Sequence, residues 1–187
     1  MKLLDAISCF LFLALFSLAA GAQESTSHNL GIDVPEVALL ALQAENSSDL
    51  NLHATPPNTA GQQIKTNKEE QSGIWVNYSS IVRENHKRKV TATVVGEIPQ
   101  GMTLKVKASE SRGDGKGKLG ESLSWVSLRN GSVDVISNIG SCYTGRGAQN
   151  GHLLSYKIEL DDEADQYAKL KQSETSLQIL YTLTDDN

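Results

Sequence analysis

Residues 139–152 gather the most reactive side chains of the chain: Cys142, Tyr143, Arg146 and His152 among Gly140, Gly145, Gly147 and Gly151. A thiol beside an imidazole is a nucleophile and its base, with Cys142 attacking and His152 taking the proton. The sequence offers no third group to orient the imidazole and no sharp turn to present the thiol. A secreted Cys/His hydrolase is therefore the last of three functions the chain supports, and no enzyme is expected. A turn between two strands accounts for the same residues, with Tyr143 and Arg146 as contacts of a binding loop. Cys142 then reads as a free, buried thiol.

The other chemical signals are weaker. Gly113-Asp114-Gly115-Lys116-Gly117-Lys118-Leu119-Gly120 suggests a phosphate-binding loop, but such a loop places Ser or Thr after its Gly-Lys and stands between a strand and a helix. Here the stretch reads as a flexible surface loop. His28, His53, His86 and His152 show no metal-ligand spacing. The carboxylates of Asp161, Asp162, Glu163, Asp165, Asp185 and Asp186 suit calcium, yet no loop signature accompanies them and they read as solvated acids. No cofactor or metal is expected. His86-Lys87-Arg88-Lys89 reads as a solvated strand end. Asn46, Asn77 and Asn130 each head an N-glycosylation tripeptide.

The elements that must position these residues read as strands. Strict apolar–polar alternation marks a half-buried strand, and Met102, Leu104, Val106 and Ala108 alternate with Thr103, Lys105 and Lys107. Residues 154–160 and 177–183 repeat the pattern, with Leu180 the exception, and Val90, Ala92 and Val94 alternate with Thr91 and Thr93. Segments 37–42, 50–54, 74–81, 123–128 and 133–139 complete about nine strands. The Asn130-Gly131 pair favours a tight hairpin over 128–133, because both positions accept positive φ. Residues 161–171 carry acids first and lysines last, the polarity of a short helix. Residues 55–73, rich in Asn, Gln, Lys and Glu, read as either a long loop or a partly disordered stretch. Short strands with turn signals and one short helix at most indicate an all-β fold. We expect a single antiparallel sandwich over residues 23–187, of the immunoglobulin-like or pilin-like kind.

Residues 1–22 read as a signal peptide: Lys2, an apolar run over 6–20, and the small-x-small end Ala20-Gly21-Ala22, with cleavage between Ala22 and Gln23. The run is short of the roughly 20 residues a membrane span requires. No later run is long enough, so the processed chain has no expected span and is expected in the periplasm, on the cell surface or outside the cell. Processing removes Cys9 and every Phe. Cys142 is then the lone cysteine, and no internal disulfide can form. The net charge of −5 is unchanged, because Lys2 and Asp5 leave together. An acidic chain with 21% charged residues excludes a nucleic-acid partner that must neutralise phosphates.

Trp75-Val76-Asn77-Tyr78, the segments 90–95, 99–106 and 139–145, and the ending 179–185 resemble secreted bacterial proteins with a pilin-like or spore-coat-protein-U-like sandwich. That resemblance implies an extracellular or periplasmic structural subunit, in some relatives assembled by strand exchange. The chain departs from chaperone–usher pilins in lacking their Cys pair and in placing Tyr181 well before its end. Leu30, Ile32 and Val34 alternate within 25–34, which is either the first strand of its own domain or a strand donated to another subunit. The first function is thus a surface or fimbria-like structural protein, whose partners are other surface subunits or itself. The second is a glycan- or protein-binding module using Tyr143, Arg146, Trp75 and Trp125, since exposed aromatic side chains anchor ligands.

Overall fold

A computed structural model describes residues 25–47, 49–66, 71–129, 131–161 and 165–186. The expected leader with its Ala22/Gln23 cleavage point lies outside the described residues, as do Asn130 of the expected hairpin and residues 162–164 of the expected helix. The chain divides into two units, Met1–Val34 and Pro35–Asn187. The described part of the first, residues 25–34, is exposed and has no strand, so it is not the first strand of the sandwich.

The second unit contains β1 (Val37–Ala44), β2 (Ala54–Thr55), β3 (Lys65–Thr66), β4 (Gln71–Ile81), β5 (Arg88–Val95), β6 (Met102–Ala108), β7 (Lys116–Ser122), β8 (Val126–Leu128), β9 (Ser132–Tyr143), β10 (His152–Leu160) and β11 (Gln178–Asp185). Nine of these form one antiparallel ladder in the order β11-β5-β9-β4-β10-β6-β8, with β1 beside β4 and β7 beside β9. No described helix is long and apolar enough to cross a membrane.

The ladder narrows where β4 meets β9, through Ser79↔Tyr143 and Ser80↔Cys142 alone. At this seam it folds over. The group β11-β5-β9-β7 then packs on the group β1-β4-β10-β6-β8, and the fold is the expected all-β sandwich. Alternate residues meet between the layers: Val76 and Tyr78, Val90 and Ala92, Leu104, Val106 and Ala108, Val135, Ile136 and Ile139, Leu154 and Tyr156, and Tyr181. The Tyr156 and Tyr181 hydroxyls lie 2.7 Å apart, joining β10 of one layer to β11 of the other. Val135 and Ile136 are consecutive yet both buried. The β5–β9 register shifts beside them, and a bulge turns successive side chains to one face. Leu180, which breaks the sequence alternation, is 58% exposed.

Several expectations fail for local reasons. The glycine-rich stretch is a strand for most of its length, because glycine lets β7 lie tight on β9. A Cβ at Gly120 would stand 2.6 Å from Ile139 Cγ1, and one at Gly117 would stand 2.3 Å from Ser141 O. Among the described residues β8 pairs with β6 and β9 with β4, β5 and β7, so β8 and β9 are not paired with each other as the expected hairpin over 128–133 requires. Among its described residues the expected helix shows a 3₁₀ turn at Tyr167–Lys169. The long loop contains the small β2–β3 pair, and its last residues open β4. Segment 50–54 enters a strand only at Ala54, although Leu50 and Leu52 pack against the core. Segment 123–128 is strand only over β8.

Arg88 also departs from expectation. It is 5% exposed rather than solvated. Its guanidinium donates to the Val37 carbonyl at the start of β1 and pairs with Glu36 at 2.5 Å and Asp185 at 3.4 Å. One buried cation thus ties β1, β5 and β11 together. Its partners reach water, and that keeps the charge compatible with the interior.

Candidate binding surface

β10 begins at His152, which is fully buried. Its Nδ1 lies 2.7 Å from the Ser109 carbonyl and 3.4 Å from Ser122 Oγ. Its Nε2 lies 2.8 Å from the Tyr78 hydroxyl. A carbonyl only accepts, so Nδ1 carries a ring proton toward Ser109. The Tyr78 hydroxyl stands between Nε2 and the Leu119 carbonyl, to which it donates. Desolvation holds the imidazole below its ordinary pKa and pushes the Tyr78 phenol far up. The rings of Tyr78 and His152 stack at 5.7 Å. Both nitrogens of His152 are therefore engaged in the core, and neither is bonded to Cys142. Burial pushes the half-buried Cys142 thiol up to about 11, so it stays protonated at neutral pH and is a poor nucleophile. The residues of the Cys/His hypothesis do not form a catalytic pair.

The loop between β9 and β10 is fixed by side chains. Thr144, fully buried, accepts from Tyr78 N at 2.9 Å through Oγ1. Asn77 donates to the Asn150 carbonyl at 2.6 Å and accepts from Gly147 N at 3.1 Å. Asn150 donates to the Arg146 carbonyl at 3.0 Å and accepts from Asp114 N at 3.1 Å. Asn77 is only 7% exposed, and both its nitrogen and its oxygen are bonded within the fold, so its glycosylation tripeptide is closed to a glycan in the folded chain. Arg146 is exposed on this loop.

Beside the seam, Val37, Ser79, Ile81, Lys116 and Tyr143 border a shallow cleft of about 380 Å³, with Cys142 also lining it. The register explains why these residues meet. Leu39 faces Ser79, Ser79 faces Tyr143, and Tyr143 faces Lys116, in one row across β1, β4, β9 and β7. Directly paired residues share a face of the sheet, and this face is the outer one, because Tyr78 and Ser80 point inward. Leu39 is 65% and Tyr143 49% exposed, with a small serine between them. The result is an apolar groove with a cation at its rim.

The four aromatic and cationic candidates separate. Tyr143 lies in the groove and Arg146 on the loop that follows it. Trp75 is buried, with Nε1 donating to Glu45 at 2.7 Å, so it cannot contact a ligand. Trp125 is half-buried before β8, with Lys157 Nζ 4.4 Å from its ring centroid. Lys157 shares Glu159 with Lys105 at 2.8 and 2.5 Å, and the two ammonium groups hold that carboxyl below its usual range. Sequence reasoning missed Val37, Leu39, Ser79, Ile81 and Lys116. None is distinctive alone, and only strand register unites them. No family model, curated protein or solved structure matches the chain.

Proposed function

We propose that the protein is a non-enzymatic structural subunit of an envelope or surface assembly, exported by its leader and joined to further copies of itself. The observation that carries this reading is the arm at residues 25–34. Leu30, Ile32 and Val34 alternate along it and are 78%, 83% and 68% exposed. An exposed, alternating apolar segment without a strand partner is matched to adding onto another sheet. The sandwich also offers an open edge. Among the described residues β1 pairs only with β4, and its Leu39 and Leu42 remain exposed. Open edges with apolar side chains are where strands of other chains add.

The test is sedimentation velocity over a concentration series, with the full chain expressed with its leader and purified as processed. Wild type forms oligomers whose size rises with concentration, and the Leu30→Asp/Ile32→Asp variant remains a monomer with unchanged circular dichroism. A monomeric wild type, or oligomers indifferent to the arm, refutes the reading. A binding-module function has one observation in its favour, the exposure of Tyr143 and Arg146 on neighbouring positions.

A further inference from the structure

We propose that the cleft beside the seam, together with the two glycine-rich loops next to it, is a binding site for an anionic polysaccharide, a sugar chain that bears carboxylates or sulfates. This rests on the binding-module reading and names its ligand class. It does not depend on whether or how copies of the chain assemble. Three observations carry it.

The first is charge. Arg112, Lys116, Lys118 and Arg146 are exposed and form no ion pair among the described residues. Asp114 is the one carboxylate within the two loop stretches 111–118 and 144–151. Glu110 and Glu121 stand at either end of the first stretch, and Glu121 is bonded to Asn138 at 3.0 Å. The net charge of −5 is therefore carried elsewhere on the chain. Unpaired cations spread over a strand and two loops match a row of anions better than a single anion, and an arginine fork suits carboxylate and sulfate alike.

The second is the surface these cations flank. Lys116 is paired across the strands with Tyr143, and Tyr143 with Ser79, so all three share the outer face of the sheet. They border the cleft of about 380 Å³ with Val37 and Ile81. Tyr143 is 49% exposed, and the electron-rich face of an aromatic ring attracts the C–H face of a sugar. Ser79 adds a hydroxyl and Lys116 a cation beside that ring. An acyl chain needs an enclosed apolar channel, whereas this cleft is shallow and open. The proposed export places the chain among sugar polymers rather than nucleic acids.

The third is preorganisation. Asn150 accepts from Asp114 N at 3.1 Å and donates to the Arg146 carbonyl at 3.0 Å, so one side chain ties the two loops together. Arg112 and Gly151 exchange both backbone hydrogen bonds, at 2.8 and 2.9 Å. The loops lie too close for larger residues: a Cβ at Gly113 would stand 2.1 Å from Asn150 Oδ1, and one at Gly145 would stand 2.6 Å from it. The backbone under Arg112 and Arg146 is thus fixed before a ligand arrives, while their side chains are free to meet it. A fixed backbone lowers the ordering cost of binding.

The test titrates the full chain, purified as processed, with polygalacturonate, dextran sulfate and uncharged dextran in a calorimeter at physiological ionic strength. The proposal expects saturable binding of polygalacturonate or dextran sulfate, the two arms telling carboxylate from sulfate, and none of dextran. Lys116→Glu/Lys118→Glu should weaken that binding about tenfold through the loss and reversal of two exposed charges. Tyr143→Ala should weaken it severalfold. All these side chains are exposed, so circular dichroism should not change. Lys169→Glu/Lys171→Glu makes the same change of net charge at exposed lysines outside the site and should leave the affinity as it was. If that control loses as much, or Tyr143→Ala loses nothing, the attraction is diffuse and the site is overturned. Equal binding of dextran overturns the anionic class while the binding-module reading stands. Tighter binding of phosphatidylglycerol vesicles or of a single-stranded oligonucleotide assigns the surface to another polyanion and overturns the proposal. No binding of any probe overturns it together with a sugar-binding reading of these loops.

Discussion

The hydroxyl pair Tyr156–Tyr181 gives a direct test of how the two layers meet. Both residues are almost fully buried, at 4% and 7% exposure, and the oxygens lie 2.7 Å apart with one on each layer. Burial raises both phenols, Tyr156 to about 12, so both are neutral and one donates to the other. Tyr156→Phe or Tyr181→Phe alone leaves the remaining hydroxyl in a dry interior without a partner, at a cost of about 1–3 kcal/mol. Removing both oxygens removes both desolvation penalties, and the double variant should fall well short of the sum. In a unit the size of Pro35–Asn187, 1 kcal/mol corresponds to roughly 2–4 °C in Tm, so each single variant should melt about 5 °C lower. Urea unfolding followed by tryptophan fluorescence, analysed as a double-mutant cycle, measures the coupling. Neutral single variants, or additive losses in the double variant, would mean that the two strands do not face each other across a closed interior.

Two further outcomes follow from the core. His152 is held below its ordinary pKa of 6.5 by burial, so the unfolded chain takes up a proton that the folded chain refuses. Stability contributed by the neutral imidazole is whole above 6.5 and is lost as pH falls below that value through the lower folded-state pKa; replacing His152 with Gln should flatten this part of a urea-midpoint profile, and an unchanged profile would count against the buried neutral imidazole. Gly120 has φ of 86° and no room for a Cβ, so Gly120→Ala should cost more than the ~1 kcal/mol typical of a glycine effect, whereas Gly131→Ala, with open space around it, should cost less. Equal losses in chemical denaturation would refute close packing of β7 on β9.

Strand positions were legible wherever one face is dry and the other wet. The segments around Leu104, Val90, Tyr156 and Tyr181 show this, since alternation in composition is alternation in burial. It failed at β7, where glycines carry no hydropathy signal and are required instead by the nearness of Ile139 and Ser141. It failed at 128–133, because a turn-forming dipeptide fixes local dihedrals but does not choose the partner of either strand. Arg88 was misread for a related reason: a basic residue in a basic run looks solvated until β1 and β11 bring Glu36 and Asp185 to it.

The candidate surface was legible only in part. Tyr143 and Arg146 stood out by residue type, and both are exposed. Trp75 stood out equally and is in the interior. Leu30, Ile32 and Val34 declared an apolar alternation, but only the structure leaves them without a strand.

What the amino-acid order determined alone is the period-two pattern and the all-β class that follows from it. Which strands neighbour one another was decided by tertiary structure. The row Leu39–Ser79–Tyr143–Lys116, the separation of His152 from Cys142 and the burial of Trp75 all depend on pairings between distant segments. The physical reason is that alternation fixes which side chains share a face of one strand, whereas a surface site is assembled across strands. Its members are set by register, which is selected by the fit of the whole core.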